Sequence, residues 1–159
     1  MQHISCFGDN RNKGFCIHCG GPDETDDHVP SKVLLDEPYP PNLMVCASCL
    51  ACNNALSLNE EYFACLLECV IAGDVDPAKI QRARIARTLS SNPALMKRLA
   101  SAKVDRAGRP YWTVEDGRVR AVIAKLGRCH AAYEYNEPQL GQPSQVAYRP
   151  IQTMDKAAR

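Results

Sequence analysis

Apolar positions recur at helical spacing through the second half of the chain and gather in short runs in the first half. Tyr62, Phe63, Leu66, Leu67, Val70 and Ile71 form a stripe behind Ser57-Leu-Asn-Glu60, which fits a capping box, and Gly73 stands where that helix would stop. Asp76-Pro77 and Asn92-Pro93 each set a capping side chain before a proline, which predicts helices over 77–90 and 93–103. Val119, Val122, Ile123 and Leu126 predict a fourth helix after Asp116. Thr25 to Val29 reads as a short strand stopped by Pro30, Ser31 to Leu35 as one helical turn, Leu43 to Val45 as a second strand and Tyr111 to Val114 as a third. Pro38-Tyr-Pro-Pro41 is a rigid loop, Ala107-Gly-Arg-Pro110 a turn, and beyond Tyr135 the periodicity fades into a Pro-, Gln- and Gly-rich tail expected to be loosely ordered. The pattern predicts an α+β chain, mainly α, divided into a module over 1–73, a helical extension over 74–135 and a tail over 136–159. No internal repeat is visible.

Composition adds constraints. The 159 residues are 45% hydrophobic and 23% charged, an ordinary globular balance that excludes a wholly disordered or collagen-like chain. No run approaches roughly 18 apolar residues, so no membrane span is expected. The first ten residues lack the basic-then-apolar order of a secretory signal, and a cytoplasmic location is the expectation.

Charge sharpens the division. The net charge of +1 conceals opposed segments: residues 1–76 hold 3 Lys/Arg against 12 Asp/Glu, a net of −9, and residues 77–128 hold 13 against 3, a net of +10. Such a basic segment suits a polyanion, with Lys79, Arg82, Arg84 and Arg87 along its first helix as candidate nucleic-acid contacts. The same arginines could instead pair with the acidic module. Tyr111 and Trp112 are open to two roles, stacking on a base or filling the core.

Nine cysteines in a chain expected to be cytoplasmic argue for metal or redox chemistry rather than a disulfide framework. Cys16-Ile-His-Cys19 and Cys49-Leu-Ala-Cys52 have the C-x-x-C spacing that lets two thiolates reach one tetrahedral ion, and together they predict a structural zinc. Gly20 and Gly21 supply the small residues that a tight metal-binding turn needs. Cys46-Ala-Ser-Cys49 repeats the spacing, so Cys46 stands as an alternative ligand. Cys65 and Cys69 fall in the helical stripe and read as core. His18, inside the first pair, reads as exposed rather than as a ligand.

The order Cys16-x-x-Cys19, Asp27-His28-Val-Pro30, Asn42-Leu43, Cys49-x-x-Cys52-Asn53 and Ser57-x-x-Glu60-Glu61-Tyr62-Phe63 resembles the HNH endonuclease family in its zinc-containing branch. The resemblance covers residues 16 to about 70. It implies a ββα-metal module, treble-clef-like and zinc-stapled, in which a hairpin and a helix surround one divalent ion. By position, His28 would be the general base, Asp27 and Asn53 the ligands of a catalytic Mg²⁺ or Mn²⁺, and Asn42 the residue that holds the loop and orients His28. The implied activity is hydrolysis of phosphodiester bonds in nucleic acid, most naturally double-stranded DNA. Imidazole can accept a proton from water at neutral pH, and carboxylate and amide oxygens suit a hard cation. Neighbouring side chains on a regular strand point to opposite faces, so Asp27 and His28 could border one site only where the strand ends or bulges. The chain also departs from the family where many members carry a lysine after the last signature residue; Ala55 and Leu56 stand here. The alternatives are a non-catalytic nucleic-acid-binding zinc module of the same fold and a redox or metal-storage protein.

Overall fold

A computed structural model describes residues 9–149. Cys6, with the rest of the first eight residues, and the end of the tail over 150–159 lie outside the described residues.

The alternation in Thr25–Val29 (β1) is that of a half-buried strand: Asp27 and Val29 are buried, while Asp26 and His28 turn to the other face. β1 pairs antiparallel with Met44–Ser48 (β2), Thr25 opposite Ser48, Asp27 opposite Cys46, and Val29 opposite Met44. A short 3-10 turn at Lys32–Leu34 and the proline loop join the two strands. His28 lies within the paired stretch, opposite Val45, so β1 does not end before it.

Only Cys49 separates β2 from the long helix Leu50–Ala72 (α1), which starts eight residues earlier than the Ser57 cap predicts. Cys49 is its cap, the sulfur accepting the Cys52 backbone N–H at 3.4 Å. Ser57 and Glu60 therefore lie inside the helix and form no capping box. Gly73 ends it as expected. Its φ of +68° is a conformation that disfavours a side chain, and its N–H reaches back to the Val70 carbonyl at 3.3 Å.

The basic helix predicted over 77–90 is divided. Pro77–Lys79 forms a 3-10 turn capped by Asp76, and Ala83–Ser91 forms α2. Ile80, between them, takes extended backbone and buries its side chain. Pro93–Ala102 (α3) follows, with the Asn92 side chain accepting the Leu95 N–H at 3.0 Å. Lys103–Arg106 (β3) and Arg109–Trp112 (β4) form an exposed hairpin around Ala107 and Gly108; the strand expected at Tyr111 to Val114 is β4, which begins and ends two residues earlier, and its partner β3 is not among the predicted strands. Asp116–Glu134 (α4) completes the helices. The stretch 136–149 contains no helix or strand, and it lies against α4: Arg120 donates to the Val146 carbonyl, and the Tyr148 hydroxyl donates to Asp116 at 2.8 Å.

One apolar core joins α1 through Tyr62, Cys65, Leu66 and Cys69 to Ile85 and Leu89 of α2, Leu95 and Leu99 of α3, and Val119 of α4. A smaller cluster of Ile17, Val29, Cys46, Cys129 and Ala132 packs the β1–β2 hairpin against the later turns of α4. α4 thus touches both, and the Tyr62 hydroxyl ties α1 to its start by accepting the Glu115 N–H at 2.9 Å. Among the described residues no helix is long and apolar enough to cross a membrane.

Candidate metal centre

Four sulfurs converge where the segment after Phe15 meets the start of α1. The thiols of Cys16, Cys19, Cys49 and Cys52 all lie within 4.8 Å of one another, and Cys19 Sγ is 3.8 Å from Cys49 Sγ. Sulfurs placed about 2.3 Å from one tetrahedral zinc stand about 3.8 Å apart, so the four could bind zinc with little movement. The backbone supports that placement. Gly20 donates to the Cys16 carbonyl and Cys16 to the Gly21 carbonyl, both at 2.8 Å, closing a tight turn in which Gly20 has φ +76°. The Gly21 N–H then points at Cys19 Sγ at 3.4 Å, and a Cβ on Gly21 would come within 3.2 Å of that sulfur.

The turn is fixed to the hairpin by Ile17 N–H donating to Ala47 O at 3.1 Å and Glu24 N–H donating to Ser48 O at 3.0 Å. The Glu24 carboxylate caps α1 by accepting the Leu50 N–H at 2.9 Å. Protonation in the cluster is uneven. Burial raises the Cys16 thiol, but backbone N–H groups of Cys49, His18 and Cys19 outweigh it and bring the thiol down to about 6. Cys52 moves the other way, pushed well up by burial and then by the neighbouring thiols. Four adjacent thiolates repel one another unless a cation neutralises them.

Cys46, the alternative ligand, faces elsewhere. It is buried at the hairpin–α4 contact, its Sγ 3.7 Å from the Cys129 carbonyl. Cys46 shares a face of β2 with Ser48 but lies one strand repeat further from the cluster, where it meets Cys129, while Ser48 Oγ is 3.9 Å from Cys16 Sγ. Cys65 and Cys69 are core residues whose thiols burial raises to about 12 and about 11.

Beside the sulfurs lies a second cluster. Asp27 Oδ1 accepts from Lys125 Nζ at 2.6 Å, and Asp27 Oδ2 lies 3.2 Å from His18 Nε2. Lys125 also donates to Glu60 Oε1, a shorter contact that joins α4 to α1. His18 is therefore buried rather than exposed, because its ring turns inward to Asp27. A carboxylate only accepts, so Nε2–H is the donor in this contact; Nδ1 has no partner among the described residues. Burial raises the Glu60 carboxyl more strongly than Lys125 lowers it. Burial also opposes the charge on Lys125, but Asp27 and Glu60 together outweigh it and hold the ammonium above its ordinary value.

The remaining positions are dispersed around these two clusters. Asn53, in the first turn of α1, donates its amide to Thr25 Oγ1 at 3.4 Å, one strand repeat from Asp27 on the same face of β1. His28 is half-buried on the opposite face. Asn42 is exposed ahead of β2 and makes no side-chain hydrogen bond among the described residues. Of the four basic candidates, Lys79 pairs with Asp74 at 2.5 Å, Arg82 with Asp36 at 2.6 Å, and Arg84 donates to the Tyr39 hydroxyl at 3.0 Å. Arg87 donates to the Ala83 carbonyl at 3.3 Å. Lys125 was not among the candidates from sequence. The signal for it is a cation on the buried face of α4, three residues after Val122 and four before Cys129.

Compared with known proteins, the chain matches no family model, no curated protein and no solved structure.

Proposed function

We propose that the chain is a zinc-stapled nuclease of HNH type that hydrolyses phosphodiester bonds in DNA. What carries the reading is the cysteine cluster: Cys16 and Cys19 ahead of β1, with Cys49 and Cys52 at the head of α1, tie together the hairpin and helix on which His28 and Asn53 sit. In this reading zinc is the structural ion of a ββα, treble-clef-like module. His28 takes the proton from the attacking water, a role for which an imidazole is suited near neutral pH. The net charge of +10 over residues 77–128 draws the polyanion towards the module through phosphate contacts.

The catalytic Mg²⁺ or Mn²⁺ implied by the resemblance needs an oxygen of Asp27. Both Asp27 oxygens already face donors, Lys125 on one side and His18 on the other. Asp27 in this arrangement does not fit a divalent ion, and no step is routed through one. The same pairing favours a second reading, a zinc module that binds nucleic acid without cutting it.

Incubating the zinc-loaded chain with supercoiled plasmid and Mg²⁺ or Mn²⁺, beside His28→Ala, separates the two. Nicking by the wild type and at least about a hundredfold less by His28→Ala supports the nuclease. Equal nicking by both removes the role of His28. Binding of the plasmid without nicking supports the second reading.

A further inference from the structure

Two carboxylates, one imidazole and one ammonium meet almost out of reach of solvent: Lys125 is 1% exposed, Glu60 3% and Asp27 4%. A buried carboxylate without a counter-charge is strongly disfavoured, and two of them on packed elements stay ionised together only with a cation between them. In a metal-dependent phosphodiesterase that cation comes from solution. Here it comes from α4, 98 residues along the chain from Asp27.

The three elements leave little freedom. Asp27 projects from the inward face of β1, Glu60 from the middle of α1, and Lys125 from the face of α4 that carries Val122 and Cys129. Asp27 Oδ1 is satisfied by Lys125 and Oδ2 by His18. A Mg²⁺ or Mn²⁺ ion would need one of those oxygens at about 2.0–2.1 Å and would meet the repulsion of an ammonium already seated there.

We propose that the Lys125 ammonium takes the place of a divalent ion at Asp27, so that Asp27 anchors β1 to α1 and α4 and is not a metal ligand in this protein. The proposal rests on the HNH reading for the expectation that an ion would be held there; the pairing of the three side chains does not depend on it. Lys125 and Glu60 are then positioning residues. They fix the strand that carries His28 and do not touch substrate.

The test uses the full chain with its zinc bound and Mn²⁺ alone as the probe, its uptake followed by electron paramagnetic resonance. Wild type and Asp27→Asn, matched for zinc content, are expected to take up Mn²⁺ equally weakly. Lys125→Met, judged folded by its zinc content and circular dichroism, is expected to gain a Mn²⁺ site at least about tenfold tighter than any in the wild type, and Lys125→Met with Asp27→Asn to lose it. Mn²⁺ uptake by the wild type that disappears in Asp27→Asn would overturn the proposal. So would a folded Lys125→Met that gains no site. If Lys125→Met does not fold, the comparison of wild type with Asp27→Asn decides alone. Because uptake rather than cleavage is read, a chain that never cuts DNA leaves the result standing.

Discussion

The cysteine cluster and the Asp27–Glu60–Lys125 cluster solve the same electrostatic problem in different ways. Each gathers acidic groups from segments far apart in sequence into a small volume. The first assembles four thiols and no counter-charge, with backbone N–H groups pointed at the sulfurs, so its neutralising cation must come from outside. The second assembles two carboxylates and draws the cation from the chain itself. With zinc as that cation, folding around the first would depend on metal supply. Folding around the second depends only on α4 being in place.

Metal removal is the largest test of that difference. Structural zinc sites contribute about 10–16 kcal/mol of apparent binding free energy in small modules, so stripping the ion with a chelator is expected to abolish cooperative unfolding of the hairpin and the start of α1. Circular dichroism during a thermal scan would show it. A chelated chain with an unchanged transition would mean that the four thiols do not need a cation. Disrupting the second cluster is expected to have a smaller effect. Lys125→Ala removes the shared ammonium from two buried carboxylates and is expected to destabilise the chain by about 3–5 kcal/mol in urea unfolding, whereas replacing Asp27, Glu60 and Lys125 together by apolar residues of similar volume should recover most of that loss. No set of apolar replacements should do the same for the cysteines.

The smallest effect lies at the surface, where a pair of similar geometry is exposed to water. Asp74 accepts from Lys79 and from the Val75 and Asp76 N–H groups, and the Lys79 bond together with those backbone bonds brings its carboxyl down to about 2. A carboxyl lowered on folding contributes stability that is present above its unfolded value of 3.8 and lost as pH falls towards 2. The difference in stability between wild type and Asp74→Asn should therefore narrow over that interval and stay flat above it. A difference that does not narrow between pH 3.8 and 2 would assign the contribution to the loop rather than to the charge.

The two clusters also differed in how readable they were. C-x-x-C spacing and the glycines after Cys19 are local signals, because a metal-binding turn is built from neighbouring residues, but the spacing fits Cys46 with Cys49 as well, and only the fold places Cys52 rather than Cys46 among the four sulfurs. The start of α1 was misplaced for a related reason: Cys49 caps the helix with its sulfur, a role that side-chain preferences for Ser and Asp do not anticipate. Helices α3 and α4 are visible from capping residues and apolar spacing, while the break of the basic helix at Ile80, which is extended and buried, has no local signal. Lys125 carries no local motif. Its significance comes from meeting Asp27 and Glu60, 98 and 65 residues away, and only a cation on an otherwise buried helix face hinted at it. His18 looked exposed for the same reason, its partner being nine residues away across the turn.

The most direct test of the account is metal analysis of Cys46→Ser beside Cys49→Ser. Cys46 lies against Cys129 and away from the other sulfurs, and Cys49 lies among them. The account predicts one tightly held zinc per chain in the wild type and in Cys46→Ser, and its loss in Cys49→Ser. Zinc lost in Cys46→Ser and kept in Cys49→Ser, or no zinc in the wild type after saturation and dialysis, would contradict it.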